Sequence, residues 1–154
     1  PDSLIYLSPP DKDYKDDKAI ILVDGVLGDK NLRSGKWIAF TKNKMEALMA
    51  FDNDIPVSKV SISSLVDMRS YLMPPVFIEV WGGDDPKQLK LLKRVAPNQP
   101  AKYDVPYQKL YEVKFTSATV RYVKIIATPV SKLPAWHDGK GKPAWFFTDE
   151  IFVN

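Results

Sequence analysis

Short runs of alternating hydrophobic and polar residues recur along the chain and predict β-strands. In the segment 58–66, Val60, Ile62 and Val66 share one parity, and Ser61 and Ser63 share the other. The same alternation recurs in the segments 76–81, 107–116, 121–126 and 146–153. Short period-two runs bounded by Pro, Gly, Asp and Asn are typical of half-buried antiparallel strands. The pattern predicts an all-β fold of seven or eight strands, an antiparallel β-sandwich of the jelly-roll type.

One segment, 44–51, is compatible with either a helix or a strand. Its residues are good helix formers, and Met45, Leu48 and Met49 fall at helical spacing. The same segment places Met45, Ala47, Met49 and Phe51 on one face of a strand. Because the neighbouring segments are predicted strands, and because 13 prolines interrupt the chain too often for long helices, we favour the strand.

Length and composition fit one globular domain of 154 residues, 45% hydrophobic and 27% charged. We expect a single β-sandwich over residues 19–154. Residues 1–18 are dense in charge and proline, which predicts a linker or an N-terminal arm laid over the domain. The start without Met or a signal peptide predicts an excised or processed piece. No uncharged stretch reaches the ~18 apolar residues of a transmembrane helix.

Charge and cysteine content exclude several classes of function. Lys and Arg outnumber Asp and Glu by 22 to 19, and the bases are scattered instead of clustered as in nucleic-acid-binding domains. A modest attraction to acidic glycans or anionic lipid remains compatible with this charge. The absence of cysteine excludes disulfides, thiolate zinc sites and Cys nucleophiles.

No arrangement of residues in the sequence predicts catalysis. His137 is the only histidine, and no serine lies in a G-x-S-x-G elbow. The glycines at 139 and 141 lack the spacing of a phosphate-binding loop. We therefore expect a protein that is not itself an enzyme.

The segment 133–145 predicts a long loop suited to binding sugars. It carries Trp136, His137 and Trp145. Sugar CH faces stack on aromatic rings, and sugar hydroxyls need fixed polar partners. For Trp145 a ligand contact and a packing role stay equally open, whereas Trp136 and His137 are expected at the surface. Trp37 and Trp81 are expected in the core.

Several motifs together resemble a discoidin-type domain. They are L-V-D-G at 22–25, W-I-A-F at 37–40, S-Y-L-M-P-P at 70–75, R-Y-V-K-I at 121–125, and the ending from W-H at 136–137 to A-W-F-F-T-D-E-I at 144–151. This group is also called the coagulation factor V/VIII C-type or galactose-binding-like fold. Within it, the chain is most similar to the domain that follows the catalytic barrel in bacterial chitobiase-like β-N-acetylhexosaminidases, notably of Bacteroides-type organisms.

The resemblance implies a sandwich whose loops at one end form a ligand surface. Members bind glycans, anionic phospholipids or protein partners and are not catalytic. The corresponding loops here are 28–36, 67–75 and 132–145. The resemblance adds two residues to the three aromatic candidates, so the implied ligand contacts are Arg69, Tyr71, Trp136, His137 and Trp145.

The resemblance also implies a structural calcium ion. The matching positions are Asp24, Asp29 and Glu150, with carbonyl oxygens completing the shell. Oxygen ligands suit a hard cation. The loop reads D-G-V-L-G-D-K-N-L-R-S-G-K-W, which departs from the usual metal-loop spacing. The alternative is that Asp24 caps a turn.

These observations predict a non-catalytic carbohydrate-binding or accessory module of a bacterial glycan-degrading protein. The expected partners are a glycan of N-acetylhexosamine or galactose type, or a neighbouring catalytic domain of a glycoside hydrolase. The expected location is the periplasm, the cell surface or the secreted fraction. One alternative is a scaffold domain that packs on its neighbour through the apolar loop 71–77. A second alternative is attachment to an anionic membrane surface through Leu72 and Met73 beside Arg69.

Overall fold

Seven antiparallel strands and three single-turn 3-10 helices make up the computed structural model, which describes all residues from 1 to 154. The strands are β1 (Ser3–Ser8), β2 (Ile38–Thr41), β3 (Met45–Val66), β4 (Phe77–Gly83), β5 (Lys90–Val95), β6 (Tyr107–Thr128) and β7 (Trp145–Val153). The 3-10 helices are Lys12–Tyr14, Ile21–Val23 and Met68–Ser70. None of the helices has the length and apolar character needed to cross a bilayer.

The two longest strands, β3 and β6, take part in both layers of the fold. Each has 22 residues, and their pairing is interrupted between Ala50 and Ile55 and again between Val57 and Lys59. On one side of these interruptions the strand order is β1-β3-β6-β4-β5, and on the other it is β2-β7-β3-β6. The predicted antiparallel β-sandwich is confirmed. The ambiguous segment 44–51 forms the start of β3 from Met45 onward, so the strand prediction is confirmed as well.

The main core lies between the two layers, and the alternation in the sequence locates it correctly. Met45, Ala47 and Met49 of β3 are fully buried against Val123 and Ile125 of β6. Residues from the other halves of the long strands, such as Val60 and Val113, belong to the same cluster. One face of the long strands is therefore hidden from water, and this burial drives folding.

A second, smaller apolar cluster lies outside the second layer. It consists of Trp37, Ala39, Leu65, Leu72 and Phe147, with Tyr14, Leu32 and Trp145 packed against it. In β7, Phe146 points into the main core and Phe147 into this outer cluster. The outer cluster is the floor on which the N-terminal arm and the loop 28–36 rest.

The first 18 residues are not a free linker. Ser3–Ser8 pairs with β3 as an edge strand, so this part of the prediction is corrected. Residues 9–18 do lie over the domain as an arm, because the Asp11 N–H donates to the carbonyl of Ala39 at 2.8 Å. The buried Asp16 carboxylate accepts the Tyr6 hydroxyl at 2.7 Å and two backbone N–H groups, which fixes the end of the arm.

A β-bulge interrupts β7 at Asp149. Ser63 of β3 faces Glu150, whereas the next residue of β3 faces Thr148, so Asp149 has no partner across the strands. A bulge redirects the side chains that follow it. Phe146 and Ile151 both reach the core although they lie five positions apart, and the two acidic residues between them turn toward the loop 24–28.

Candidate ligand-binding cleft

A cleft of about 600 Å³ opens between the N-terminal arm and the loop 28–36. Its walls come from the arm residues 12–15 and from the loop residues 32–35. Trp37, the residue before β2, and Trp145 at the start of β7 form its base. The cleft is open to solvent and wide enough for a sugar ring, since small-molecule sites occupy ~300–1,000 Å³.

The half-buried Trp145 is held firmly in the base of the cleft. The backbone N–H of Trp145 donates to the carbonyl of Tyr71 at 2.8 Å, and the backbone carbonyl of Trp145 accepts from the N–H of Met73 at 3.0 Å. Its ring meets the Tyr14 ring edge-on, with the centroids 5.8 Å apart and the planes at 71°. An aromatic ring fixed in this way loses little conformational entropy when a ligand stacks on it.

Trp37 supports the cleft from below. Its side chain is only 2% exposed, and its indole N–H donates to the carbonyl of Asp29 at 3.1 Å. A Cβ atom placed on Gly28 would lie 2.6 Å from Cζ2 of Trp37, so the loop backbone rests directly on the indole ring. The prediction that Trp37 is a core residue is confirmed. Trp81 is half-exposed on the outer face of β4, with Lys124 Nζ 5.2 Å from its ring centroid, so it is not a core residue.

The rim of the cleft is mainly basic. Lys12 and Lys15 lie on the arm and Arg33 on the loop, whereas Asp13 is the only acidic residue of the lining. The ion pairs of the protein join Lys15 to Asp17 and Lys59 to Glu112. Lys12 and Arg33 therefore have no ion-pair partner, and their charges are available to a ligand.

Four of the five predicted ligand contacts lie together on a different surface. Trp136 meets Tyr103 edge-on, with the centroids 5.1 Å apart and the planes at 90°, and Arg69 Cζ lies 4.3 Å from the centroid of the same Tyr103 ring. Tyr71 and His137 complete this group, with their ring centroids 5.0 Å apart. We call these five residues the Tyr103 cluster. Sequence reasoning missed Tyr103 itself, because it lies in an irregular segment 30 residues from the tryptophan loop.

His137 has no free ring nitrogen to offer a ligand. It is 3% exposed, its Nε2 lies 2.6 Å from the carbonyl of Met68, and its Nδ1 accepts from the N–H of Gly139 at 2.9 Å. Because Nδ1 accepts a hydrogen bond, the proton resides on Nε2 and donates to Met68. The expected surface position is therefore wrong, and His137 fixes the loop 132–145 onto the loop 67–75.

The predicted loops do meet, but the exposed apolar loop expected from the sequence is absent. Leu32, Leu72 and Trp145, one from each of the three loops, belong to the outer cluster. Leu72 is 1% exposed and Met73 is 2% exposed. Neither residue can form the proposed membrane-facing spike, and the centre of the loop 71–77 is not an exposed interface.

Two buried carboxylates lie under the loop 24–28 at the bulge of β7. Glu150 accepts from the N–H of Gly25 at 3.0 Å, and Asp149 accepts from the N–H of Gly28. The second oxygen of Asp149, Oδ1, is buried without a hydrogen-bond partner. Burial raises the pKa of both groups, that of Glu150 to about 7, and the neighbouring Asp24 raises both further.

The three predicted calcium ligands do not come together as a set. Asp24 lies close enough to Glu150 to raise its pKa, whereas the Asp29 carboxylate accepts from the N–H of Asn31 at 2.9 Å within its own turn. The Asp24 carboxylate also accepts from the N–H of Val26 at 2.8 Å, which is the turn cap considered above. No group of three or more acidic, His or Cys side chains is close enough to hold a metal ion. A cation here would need two carboxylates and backbone carbonyls.

No protein-family model and no curated protein sequence matches the chain. Several solved structures do match the chain in fold. A CBM32 module of AlyQ in complex with 4,5-unsaturated mannuronic acid covers 99% of this chain and 93% of its own, with 14% identity and a TM-score of 0.62. A CBM32 module of Clostridium perfringens (CpGH89CBM32-5), in complex with GalNAc-β-1,3-galactose, covers 98% and 93%, with 12% identity and a TM-score of 0.59.

A chitosan-binding module derived from a chitosanase/glucanase of Paenibacillus sp. IK-5 matches as well. It covers 99% of this chain and 93% of its own, with 12% identity and a TM-score of 0.58. At these identities the likeness establishes the fold. The chain has the galactose-binding-like, discoidin-type β-sandwich found in CBM32 carbohydrate-binding modules, as the resemblance implied.

Proposed function

We propose that the protein is a non-catalytic carbohydrate-binding module and that the cleft is its sugar site. The observation that carries this proposal is the combination of Trp145 in the base and Tyr14 in the wall with a polar rim in a cleft of about 600 Å³. The structural neighbours support it, because their names describe modules that bind sugars. A fold shared at low identity does not by itself define a ligand, whereas the residues of the cleft do point to one.

The chemistry of the cleft suits a single sugar unit or a chain end. The part of the Trp145 ring that lines the cleft would stack against the CH face of a pyranose, and the charged groups of the rim would orient its hydroxyls. Such a shallow contact gives low affinity. Tethering to a catalytic domain that attacks the same polymer raises the effective concentration and so makes the binding useful.

The test compares two tryptophans. Trp145→Leu keeps apolar bulk against Tyr14 but removes the stacking face, and Trp136→Leu is the matched control in the Tyr103 cluster. We expect Trp145→Leu to weaken glycan binding by at least about tenfold, equivalent to ~1.4 kcal/mol, and Trp136→Leu to leave it unchanged. Isothermal titration calorimetry measures the affinity of both variants for 4,5-unsaturated mannuronic acid, chitosan oligosaccharide and GalNAc-β-1,3-galactose, the sugars named for the structural neighbours. The reverse result would move the sugar site to the Tyr103 cluster, where the sequence analysis placed most contacts.

Finer assignments extend this proposal. The sequence resemblance supports an accessory domain of a chitobiase-like β-hexosaminidase from a Bacteroides-type bacterium, acting in the periplasm, at the cell surface or outside the cell. Such a parent enzyme implies an N-acetylhexosamine or galactose ligand. A glycan array probed with the isolated domain tests this, and binding confined to glycans without these sugars would refute it.

A structural role on a catalytic neighbour is the second candidate. One row of outward-facing residues crosses all five strands of the first layer, because the pairings place Ile5, Leu48, Lys124, Trp81 and Leu91 side by side. Ile5 is 52% exposed and Leu91 is 46% exposed. If this face packs on a catalytic domain, removing the module lowers the melting temperature of that domain, and an unchanged melting temperature excludes the role.

We also propose a structural calcium ion at the loop 24–28. Asp24, Glu150 and backbone carbonyls would hold it, whereas Asp29 takes no part. Support comes from the charge of the three neighbouring carboxylates: Asp24 raises the pKa of Asp149, and Asp24 and Asp149 both raise the pKa of Glu150, so a bound cation would offset their mutual repulsion. Calcium should then raise the melting temperature of the EDTA-treated protein, and Glu150→Gln should abolish the rise. Equal melting curves with and without calcium would contradict the proposal.

A further inference from the structure

We propose that the cleft selects glycans that carry carboxylate groups, that is, hexuronates. This inference rests on the proposed function, because it assumes that the cleft is the sugar site. It replaces the N-acetylhexosamine or galactose ligand, which the chitobiase-like parent enzyme alone implies. It rests separately on the charge of the lining. The lining has three bases, Lys12, Lys15 and Arg33, and one acid, Asp13. Because Lys15 is paired with Asp17, Lys12 and Arg33 are the two cations of the lining without an ion-pair partner.

The bases stand on both walls, with Trp145 in the base of the cleft. The arm contributes two lysines and the loop contributes Arg33. A hexuronate ring stacked on Trp145 therefore meets a cation whether its carboxylate turns toward the arm or toward the loop. Arg33 is suited to this contact, because a guanidinium binds a carboxylate through two parallel hydrogen bonds.

The turn that carries Arg33 is ordered by its own hydrogen bonds. The backbone N–H of Arg33 donates to Oδ1 of Asn31 at 3.0 Å, and the backbone N–H of Ser34 donates to the carbonyl of Asn31 at 3.1 Å. Gly35 has a φ of +84°, a conformation that favours glycine and lets the chain return to β2. The backbone that carries the cation is therefore held in place, and the Arg33 side chain has no ion-pair partner to release before it binds a carboxylate.

The Tyr103 cluster has the opposite charge balance. The groove beside it is lined by Arg69 together with Asp67 and Asp104. One base against two acids disfavours an anionic ligand, and the Arg69 guanidinium already lies over the Tyr103 ring. Charge alone therefore directs a uronate to the cleft and away from the second aromatic surface.

The experiment measures the affinity for charged and neutral forms of the same sugar chain. The probes are tetragalacturonate and its methyl ester, with tetramannuronate as a second acidic probe. We expect at least about fivefold tighter binding of an acidic probe than of the ester at low salt, and a smaller difference at 0.5 M NaCl because salt screens exposed charges. We expect Arg33→Gln and Lys12→Gln each to weaken binding of the acidic probe by about five- to tenfold, with the ester unaffected.

Arg69→Gln is the matched control, since it removes one exposed base outside the cleft. We expect it to leave all affinities unchanged. Equal affinity for acid and ester, both lost in Trp145→Leu, would overturn the selectivity and leave the sugar site standing. Salt-sensitive binding of the acidic probe that Trp145→Leu leaves intact would overturn this inference, because the contact would then be general charge attraction outside the cleft. If no probe and no neutral glycan binds, both proposals fail.

Discussion

Removing the His137 side chain tests whether that residue organises the loops or contacts a ligand. The imidazole bridges two segments by donating to the carbonyl of Met68 and accepting from the N–H of Gly139. It is 3% exposed, and its ring also packs against Tyr71 and Trp136. In His137→Ala both backbone groups lose their partner inside the protein.

The expected loss follows from these contacts. An unsatisfied buried polar group costs about 1–3 kcal/mol, and the cavity left by a buried ring adds to this. The unfolding free energy should therefore fall by about 3–5 kcal/mol. For a domain of this size each kcal/mol corresponds to about 2–4 °C, so the melting temperature should fall by about 6–20 °C.

Thermal unfolding followed by circular dichroism measures this shift. His137→Gln, which retains a donor and an acceptor on a shorter side chain, should recover part of the loss. The structural reasoning would be refuted by an unchanged melting temperature for His137→Ala. If His137→Ala kept its melting temperature but lost glycan binding, His137 would be a ligand contact.

Three further predictions concern the arm and the loop 24–28. Gly28→Ala should lower the melting temperature by several degrees, because its Cβ would overlap the buried Trp37 ring, and an unchanged value would contradict the packing described here. In calcium-free buffer the contribution of Glu150 to the unfolding free energy should be fully present below pH 4.5 and be lost as the pH rises to about 7, because the folded protein retains the Glu150 proton that the unfolded chain releases. Chemical denaturation between pH 4.5 and pH 7 should therefore show a smaller loss of stability for Glu150→Gln than for the parent protein, and equal losses would contradict the raised pKa. Asp16→Ala should lower the free energy of unfolding by about 2–4 kcal/mol, because three hydrogen bonds to the Asp16 carboxylate, one of them from Tyr6, are lost. Urea unfolding measures this change, and a loss below about 1 kcal/mol would show that apolar contacts hold the arm instead.

The sandwich could be predicted because its signal is local. In strands such as β3 and β6 the sequence alternates between hydrophobic and polar residues, and the hydrophobic ones of both strands fill a common core. The edge strand β1 was missed because Ile5 and Leu7 are exposed on its outer face, so its run reads as apolar without alternation, and a charged and proline-rich segment follows it. The pairing of β1 depends on β3, more than 35 residues away.

The candidate site was predicted less well because it depends on packing between distant segments. Trp136 and Trp145 lie nine positions apart, yet one joins the Tyr103 cluster and the other lines the cleft. The cleft needs the arm, 130 residues away, to form its second wall. The bulge at Asp149 depends on the pairing of β7 with β3, and no local pattern in the β7 sequence predicts it.

Glycan binding in the cleft at Trp145 is the central proposal. The most direct test follows the indole N–H resonances of the four tryptophans by ¹H–¹⁵N NMR while oligosaccharides are added. The series comprises oligomannuronate, chitosan oligosaccharide and GalNAc-β-1,3-galactose. We predict that a binding sugar shifts the Trp145 resonance most, with small changes at Trp136 and Trp81. A shift centred on Trp136, or unchanged resonances across the whole series, would contradict the claim.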